Sequence, residues 1–445
     1  MADLEENQKN DFLIEKFKDR PVNKKKLLRR TVITAGMAVI FGLVACVTFL
    51  VIEPLISKWL YPEEEPQIVV FPQDQDEMSP EEMLSDNMQI ENQVNQIAEM
   101  VENVTLDRDQ IQAILSNIVL NKDNYRQIYS SLSDYVNELN KCMVTVTGVT
   151  SNIDWFNNVE TSSNQSSGVI VANNGRQLII LVNGTPLRKT ERLILTFYNG
   201  AQVDAEWKDE NADTDLAIVT VDLSNLEKDL AEDEALVATL GSSNSRFVVS
   251  TPVIALGSPM GISGSVGYGM ITSSSVQNSI ADTNYRLLQT DIYGSQSADG
   301  VLFNLYGQVV GIITNNKSGS DMKNLINAYG ISELKTLIEK MSNGKEMAYL
   351  GICGMDVSRE AHEELHVPYG AFVKEVEMDS PSMLAGIQQG DVLVQIDEKL
   401  ILSYGEYASY LEQLEPEQEI EITIMRQVQE DYREVKFEVV LGEVE

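Results

Sequence analysis

DIYGSQSADGVLFNLYGQVVGIIT, residues 291–314, sets a polar turn between two apolar runs. Gly294 and Gly300 edge the turn, a strand ends at Asp291 before it, and an apolar strand begins at Val301 after it. Small polar residues in a glycine-flanked loop are ordinary turn chemistry, and the same arrangement can also present a serine. Working outward, the pattern repeats. CMVTVTGV, SSGVIVANNG, QLIILV, RLILTFYNG, TDLAIVTVD, STPVIALGS and SVGYGMITSSS are short β-like runs parted by turn residues, with no long helix between them. That spacing predicts an all-β barrel or sandwich. A helix around Ser332, SELKTLIEKMSNG, closes the region, with Gly344 just past its end. The last stretch reads as a smaller domain, with strands at GAFVKEVEM, DVLVQID, EIEITIMR and VKFEVVLG and a helix at YGEYASYLEQL.

Composition bounds the setting. A chain of 445 residues is long enough for two or three domains, each with its own core. With 33 Lys plus Arg against 68 Asp plus Glu, the net charge of −35 repels nucleic acid and anionic headgroups. Cys46, Cys142 and Cys353 lack zinc-like spacing and imply neither a disulfide framework nor a metal knuckle.

Topology is read from the N-terminus. TVITAGMAVIFGLVACVTFLVI, residues 31–52, carries no charge, and ~20 apolar residues in a helix cross a bilayer core of ~30 Å. Lys24, Lys25, Lys26, Arg29 and Arg30 precede it, and Glu63, Glu64 and Glu65 follow. The positive-inside rule then leaves residues 1–30 as a cytoplasmic tail, 31–56 as a single transmembrane helix, and the rest outside.

Residues 57–78 read as an acidic, proline-bearing linker, extended in character. Across 79–140, Ile90, Val94, Ile97, Val101, Val104, Ile111, Leu115, Ile118, Tyr125, Tyr129, Leu132, Val136 and Leu139 keep a helical phase. A continuous coiled-coil stalk of ~75 Å and a folded-back bundle of shorter helices both fit, because TLDRDQ and LNKDNY each offer a capping residue.

The order SSGVIV, TDLAIV, VIALGSPMG, GSVGYGMITS, LLQTD and NLYGQVVGIIT, followed by YLGI and SPSMLAGIQQGDVLVQID, resembles the HtrA/Deg serine proteases. The resemblance spans roughly 141–445. It implies a mainly β fold: a trypsin-like double β-barrel over 141–343 and a C-terminal PDZ domain over 344–445, preceded here by the transmembrane helix and the helical segment. It also implies a bacterial-envelope location and a homo-oligomer, a trimer in that family. No cofactor is expected.

The family's catalytic positions do not all survive. Thr214-Asp215-Leu216-Ala217 matches the segment that carries the aspartate, so Asp215 is retained. The histidine slot falls on Val182, Asn183, Gly184 or Thr185, with Asn183 the aligned residue, and the chain's two histidines, His362 and His366, lie in the PDZ-like part. The nucleophile's motif lands on Gln296-Ser297-Ala298-Asp299-Gly300, which puts Ala298 in the serine slot. A serine hydroxyl needs a neighbouring base to attack, and neither partner is in place. Gln296 carries a Cβ where the family's glycine turns an N–H toward an oxyanion, and Asp299 adds negative charge beside it. Ser297, one residue away, is the alternative nucleophile, and the competing reading makes Ser295 and Ser297 plain turn serines.

In the PDZ-like domain, Tyr349-Leu350-Gly351-Ile352 matches the family's carboxylate-binding loop, where backbone N–H groups hold a peptide C-terminus. HEELH, 362–366, fits the zinc pattern H-E-x-x-H, yet Pro368 stops the helix early and no third ligand is signalled, so no metal is expected. The resulting expectation is a membrane-anchored pseudoprotease that binds peptides or unfolded segments as a sensor or scaffold. Two other readings stand beside it: an active endopeptidase using Ser297, and an assembly protein whose stalk and barrels only oligomerise.

Overall fold

The computed structural model describes residues 32–41, 66–72, 122–153, 159–231, 236–244, 248–314, 324–429 and 431–443, with Arg29 and Asp233. The chain divides into two units, Met1–Glu65 and Pro66–Glu445. In the first, residues 32–41 are helical with exposed side chains, and the rest of the expected span 31–56 lies outside the described residues. Among the described residues no helix is long and apolar enough to cross a membrane.

The second unit holds two barrels and a third small domain. Strands β1 (Met143–Ile153), β2 (Val159–Asn173), β3 (Gln177–Asn183), β4 (Arg192–Thr196), β5 (Gln202–Asn211) and β6 (Leu216–Asp222) close an antiparallel barrel in the order β1-β2-β3-β6-β5-β4. The unbroken apolar run of β3 follows from burial on both faces. Leu178, Ile180 and Val182 point into the barrel, while Ile179 and Leu181 join a second core shared with the next barrel. β5 is mostly polar because much of it is exposed, and its charged composition hides it from an apolar-run reading.

The second barrel uses β7 (Thr239–Leu240), β8 (Pro252–Ser258), β9 (Ser265–Ile280), β10 (Thr283–Tyr293), β11 (Asp299–Asn304), β12 (Gln308–Thr314) and β13 (Leu325–Gly330). The order β11-β8-β9-β10-β13-β12 closes through β11 and β12, and β7 adds parallel to β12.

Helix α1 (Lys122–Leu139) is the described part of the expected helical segment, and 79–121 lies outside the described residues. Its C-terminal half is bound to the barrels rather than left free. Val136 and Leu139 are buried in the shared core, Leu132 and Tyr135 pack against it, and the Tyr135 hydroxyl donates to the Leu305 carbonyl at 3.1 Å. Tyr125 and Tyr129, in the same phase one and two turns earlier, stay exposed. Cys142 follows, buried, its thiol pushed up to about 12 by desolvation.

Helix α2 (Ile331–Asn343) packs Leu334, Leu337, Ile338 and Met341 into the shared core and ends on Gly344 at φ 62°. It starts one residue earlier than the cap expected at Ser332. Ser332 lies inside the first turn, where its hydroxyl accepts from the Ser243 N–H at 2.7 Å. Residues 69–72 of the expected linker contact this helix, while the Gln67 N–H donates to the Asn174 carbonyl at 2.9 Å. Asn343 pairs with both backbone groups of Val69 at 3.0 and 2.7 Å, and Lys335 donates to the Pro72 carbonyl at 3.1 Å.

The third domain begins with β14 (Ala348–Tyr349), β15 (Ile352–Asp356), α3 (Arg359–Leu365), β16 (Ala371–Val376) and α4 (Pro381–Ala385). It continues through β17 (Val392–Ile396), β18 (Lys399–Leu400), α5 (Tyr404–Leu411), β19 (Glu419–Val428), β20 (Asp431–Val440) and β21 (Gly442–Glu443). One sheet runs β15-β16-β17-β19-β20, and β14 pairs with β21. Leu350, Ile352, Ile396, Tyr404, Tyr407 and Ile422 are among its fully buried core.

Candidate functional site

The serine slot lies in the tight turn before β11. Ala298 is 3% exposed, packed with Ile292, Val253 and Leu302. Its N–H, which a working oxyanion hole would aim outward, donates to the Ser295 carbonyl at 3.1 Å. The Ser297 N–H donates to the Ser295 hydroxyl at 3.2 Å, and the two hydroxyls lie 3.0 Å apart. The turn therefore spends these donors on itself, and the Ser297 oxygen faces another serine.

Asp299 does something the sequence did not suggest. Its carboxylate accepts from the Ser166 hydroxyl at 2.9 Å, the Ser167 N–H at 2.6 Å and the Gly300 N–H at 2.8 Å. Burial pushes its pKa above the ordinary carboxylate value, against the pull of those three bonds. Ser166 and Ser167 belong to the first barrel, so this carboxylate joins the two barrels.

The base slot lies at the end of β3, one strand away from those serines. Gly168, next to Ser167, pairs with Val182, and Asn183 follows. The Asn183 Oδ1 accepts the Thr185 N–H at 3.0 Å and closes a local turn. Asp215 adjoins it: the Thr185 hydroxyl donates to Oδ1 at 2.6 Å, and Arg188 Nη1 lies 3.3 Å from the same oxygen. Arg188 also donates from Nε to Glu210 at 3.0 Å. The retained aspartate is thus engaged by a threonine and an arginine. The fold brings Asn183, Thr185 and Asp215 together. Arg188 was absent from the sequence-based candidates, since nothing local ties it to Asp215.

The loop 349–352 lies at the other end of the second unit's chemistry. Gly351 has φ 84°, and an added Cβ would sit 2.2 Å from Ser380 Cβ, so the glycine is needed by the domain's own packing. The N–H groups of Leu350 and Gly351 donate to Asp282 Oδ2 at 2.7 and 2.8 Å, and that of Ile352 to Oδ1 at 2.9 Å. The Tyr407 hydroxyl donates to the same Oδ1. Asp282 is a residue of the two-residue turn between β9 and β10, and nothing in its sequence neighbourhood marks it as a ligand. Tyr349 points elsewhere, donating its hydroxyl to Glu377 at 2.8 Å.

His362 and His366 do not form a zinc pair. His366 caps α3 at φ 54°, off the helix, and His362 Nδ1 lies 2.8 Å from the Val367 carbonyl with its ring stacked on Tyr369 at 3.9 Å. Among the described residues no cluster of His, Cys, Asp or Glu has a metal-holding arrangement.

Two barrels bridged by Asp299, followed by a smaller α/β domain that carries the loop 349–352, define the architecture. Residues 166–312 match the trypsin-like peptidase domain model and 372–426 the PDZ domain model. The chain is 28% identical to the serine protease Do-like HtrB of Bacillus subtilis over 63% of its length. It is 26% identical to the serine endoprotease DegS of Haemophilus influenzae over 59%. It spans 65% of the Bacillus HtrB and 53% of a DegP-like endoprotease of Halomonas elongata. Among solved structures, the HtrA-type protease AlgW with a decapeptide superposes with TM-score 0.51 at 20% identity, covering 69% of this chain and 98% of that one, a likeness of fold. The protein is a homologue of the HtrA/Deg serine proteases, with a trypsin-like peptidase domain and a PDZ domain.

Proposed function

We infer that this protein is a membrane-anchored, extracytoplasmic HtrA-like pseudoprotease, a sensor or scaffold whose PDZ domain binds peptides or unfolded segments. The observation that carries this reading is the turn at 294–298. The slot residue Ala298 has no hydroxyl, and its N–H is bonded back to Ser295. Asn183 in the base slot cannot take a proton as an imidazole does, and Asp215 is already held by Thr185 and Arg188. Anchoring by one span at 31–56, with the N-terminus inside, rests on the basic residues before it and the acidic ones after. An envelope location is consistent with relatives named periplasmic. Peptide capture through 349–352 rests on three convergent N–H groups. A homo-oligomer, trimeric by resemblance, completes the proposal.

The competing reading is an endopeptidase using Ser297. The full-length protein, incubated with unfolded casein and a serine-reactive fluorophosphonate, separates the two. Background cleavage and labelling are expected. Labelling that vanishes in Ser297→Ala or Ser295→Ala would overturn the pseudoprotease reading.

A further inference from the structure

A PDZ loop of this kind holds a carboxylate through successive N–H groups, while the peptide's own backbone pairs with the adjacent strand. Here a segment of the chain itself occupies the loop and the first position of that strand edge. The tip of the β9–β10 hairpin reaches the PDZ domain and inserts Asp282 into the loop. Both carboxylate oxygens are used, by three backbone N–H groups and one tyrosine hydroxyl. Burial pushes the Asp282 carboxyl above the ordinary carboxylate value, against the pull of these four bonds. A peptide terminus in such a loop would be held in the same manner.

The edge of β15 is taken as well. The Asp282 N–H donates to the Ile352 carbonyl at 2.8 Å, the group a peptide's last residue would use. Tyr404 donates its hydroxyl to that carbonyl at 2.7 Å, and Asn284 Nδ2 donates to the Gly354 carbonyl at 3.1 Å. The loop and the first position of the strand edge are thus taken by Asp282, and Asn284 reaches the edge through its side chain. Beside the contact lies a polar cavity of about 510 Å³, bordered by Asn284, Arg286, Glu333 and Glu412.

We propose that Asp282 is an internal ligand of the PDZ carboxylate loop: it stands in for a peptide C-terminus, docks the PDZ domain on the second barrel, and competes with any carboxylate that enters from outside. The competition rests on the peptide-binding reading given above; the docking does not. The hairpin is shaped for it. Asp282 has φ 63°, a left-handed position that Asp and Asn accept and most residues do not.

Two measurements on the full-length protein keep docking and peptide binding apart. Asp282→Asn preserves the turn and replaces one acceptor oxygen by a donor; Asp282→Gly removes the side chain and keeps the left-handed backbone. Hydrogen exchange at the Leu350, Gly351 and Ile352 amides should accelerate on the order of tenfold or more in both variants, with barrel amides such as those of β3 unchanged. Unchanged exchange at these three amides would overturn the proposal. A fluorescein-labelled peptide ending in Ala-Ala-Leu-Val, with a free carboxylate and as its amidated twin, reads the competition. On the order of tenfold tighter binding of the free acid to Asp282→Asn than to wild type, with no gain for the amide, supports it. Equal binding to both proteins would overturn the competition while leaving peptide capture intact. Faster amide exchange without peptide binding to any variant would support the docking, overturn the competition, and overturn the PDZ part of the proposed function.

Discussion

The turn at 294–298 and the loop at 349–352 are both places where backbone N–H groups could gather an anion, and they end differently. In the first, the N–H groups of Ala298 and Ser297 close on Ser295, two or three residues back. In the second, three N–H groups stay open to a carboxylate 68 to 70 residues earlier in the chain. The difference teaches that an anion site needs its donors kept out of local turns. Gly351 at φ 84°, pressed against Ser380, keeps the second loop open. The first turn carries Gln296, with a Cβ, between Ser295 and Ser297, and its donors fall inward.

The largest expected effect is one that fails to appear. Triad members act as a unit, and their joint loss costs about 10⁶ in rate in a related system. Ala298→Ser alone, or with Asn183→His, should therefore leave casein cleavage at background, because the Ala298 N–H still points at Ser295. Substantial turnover in the double variant would show that the turn opens on its own and would erase the contrast between the two loops.

Next in size is Asp299→Ala. It strands the Ser166 hydroxyl and the Ser167 and Gly300 N–H groups between the barrels, and should lower stability by about 3 kcal/mol in chemical denaturation. A loss under about 1 kcal/mol would mean that the carboxylate's own desolvation offsets those bonds.

Gly351→Ala sharpens the other side. With a positive φ and Ser380 Cβ 2.2 Å from the new methyl, it should destabilise the PDZ domain by about 2 kcal/mol, seen as a lower melting temperature. Unchanged melting would indicate that the loop relaxes and that its open geometry is not held by this glycine.

The smallest effect is expected at Thr185→Val. The hydroxyl's bond to Asp215 is exposed and Arg188 remains beside the same oxygen, so stability should change by no more than about 0.5 kcal/mol. A loss several times larger would give the retained aspartate a structural importance that its partners do not suggest.

Much of this was legible beforehand. Apolar runs bounded by turn residues located β3, β6 and β12, because each is buried on both faces along its interior. That both histidines lie in the C-terminal domain needed only the order of residues. β5 escaped because its exposed, charged residues carry no apolar run. Asp299 was read as a charge disturbing an oxyanion; the fold turned it into a bond between barrels, which depends on Ser166 and Ser167 arriving from 132 residues or more away.

By itself, then, the sequence determined which groups exist: short strands parted by turn residues, an alanine at 298, both imidazoles in the C-terminal domain, and a glycine-bearing loop at 349–352. Only the tertiary structure decided who meets whom. It laid Val136 and Leu139 of α1 in the barrel core, tied residues 69–72 to α2, and set Asp282 in the PDZ loop. The physical reason is one of range. Periodicity and turn propensity are local and are written in neighbouring residues, whereas the partner of an open N–H is whichever acceptor the packed chain carries to it.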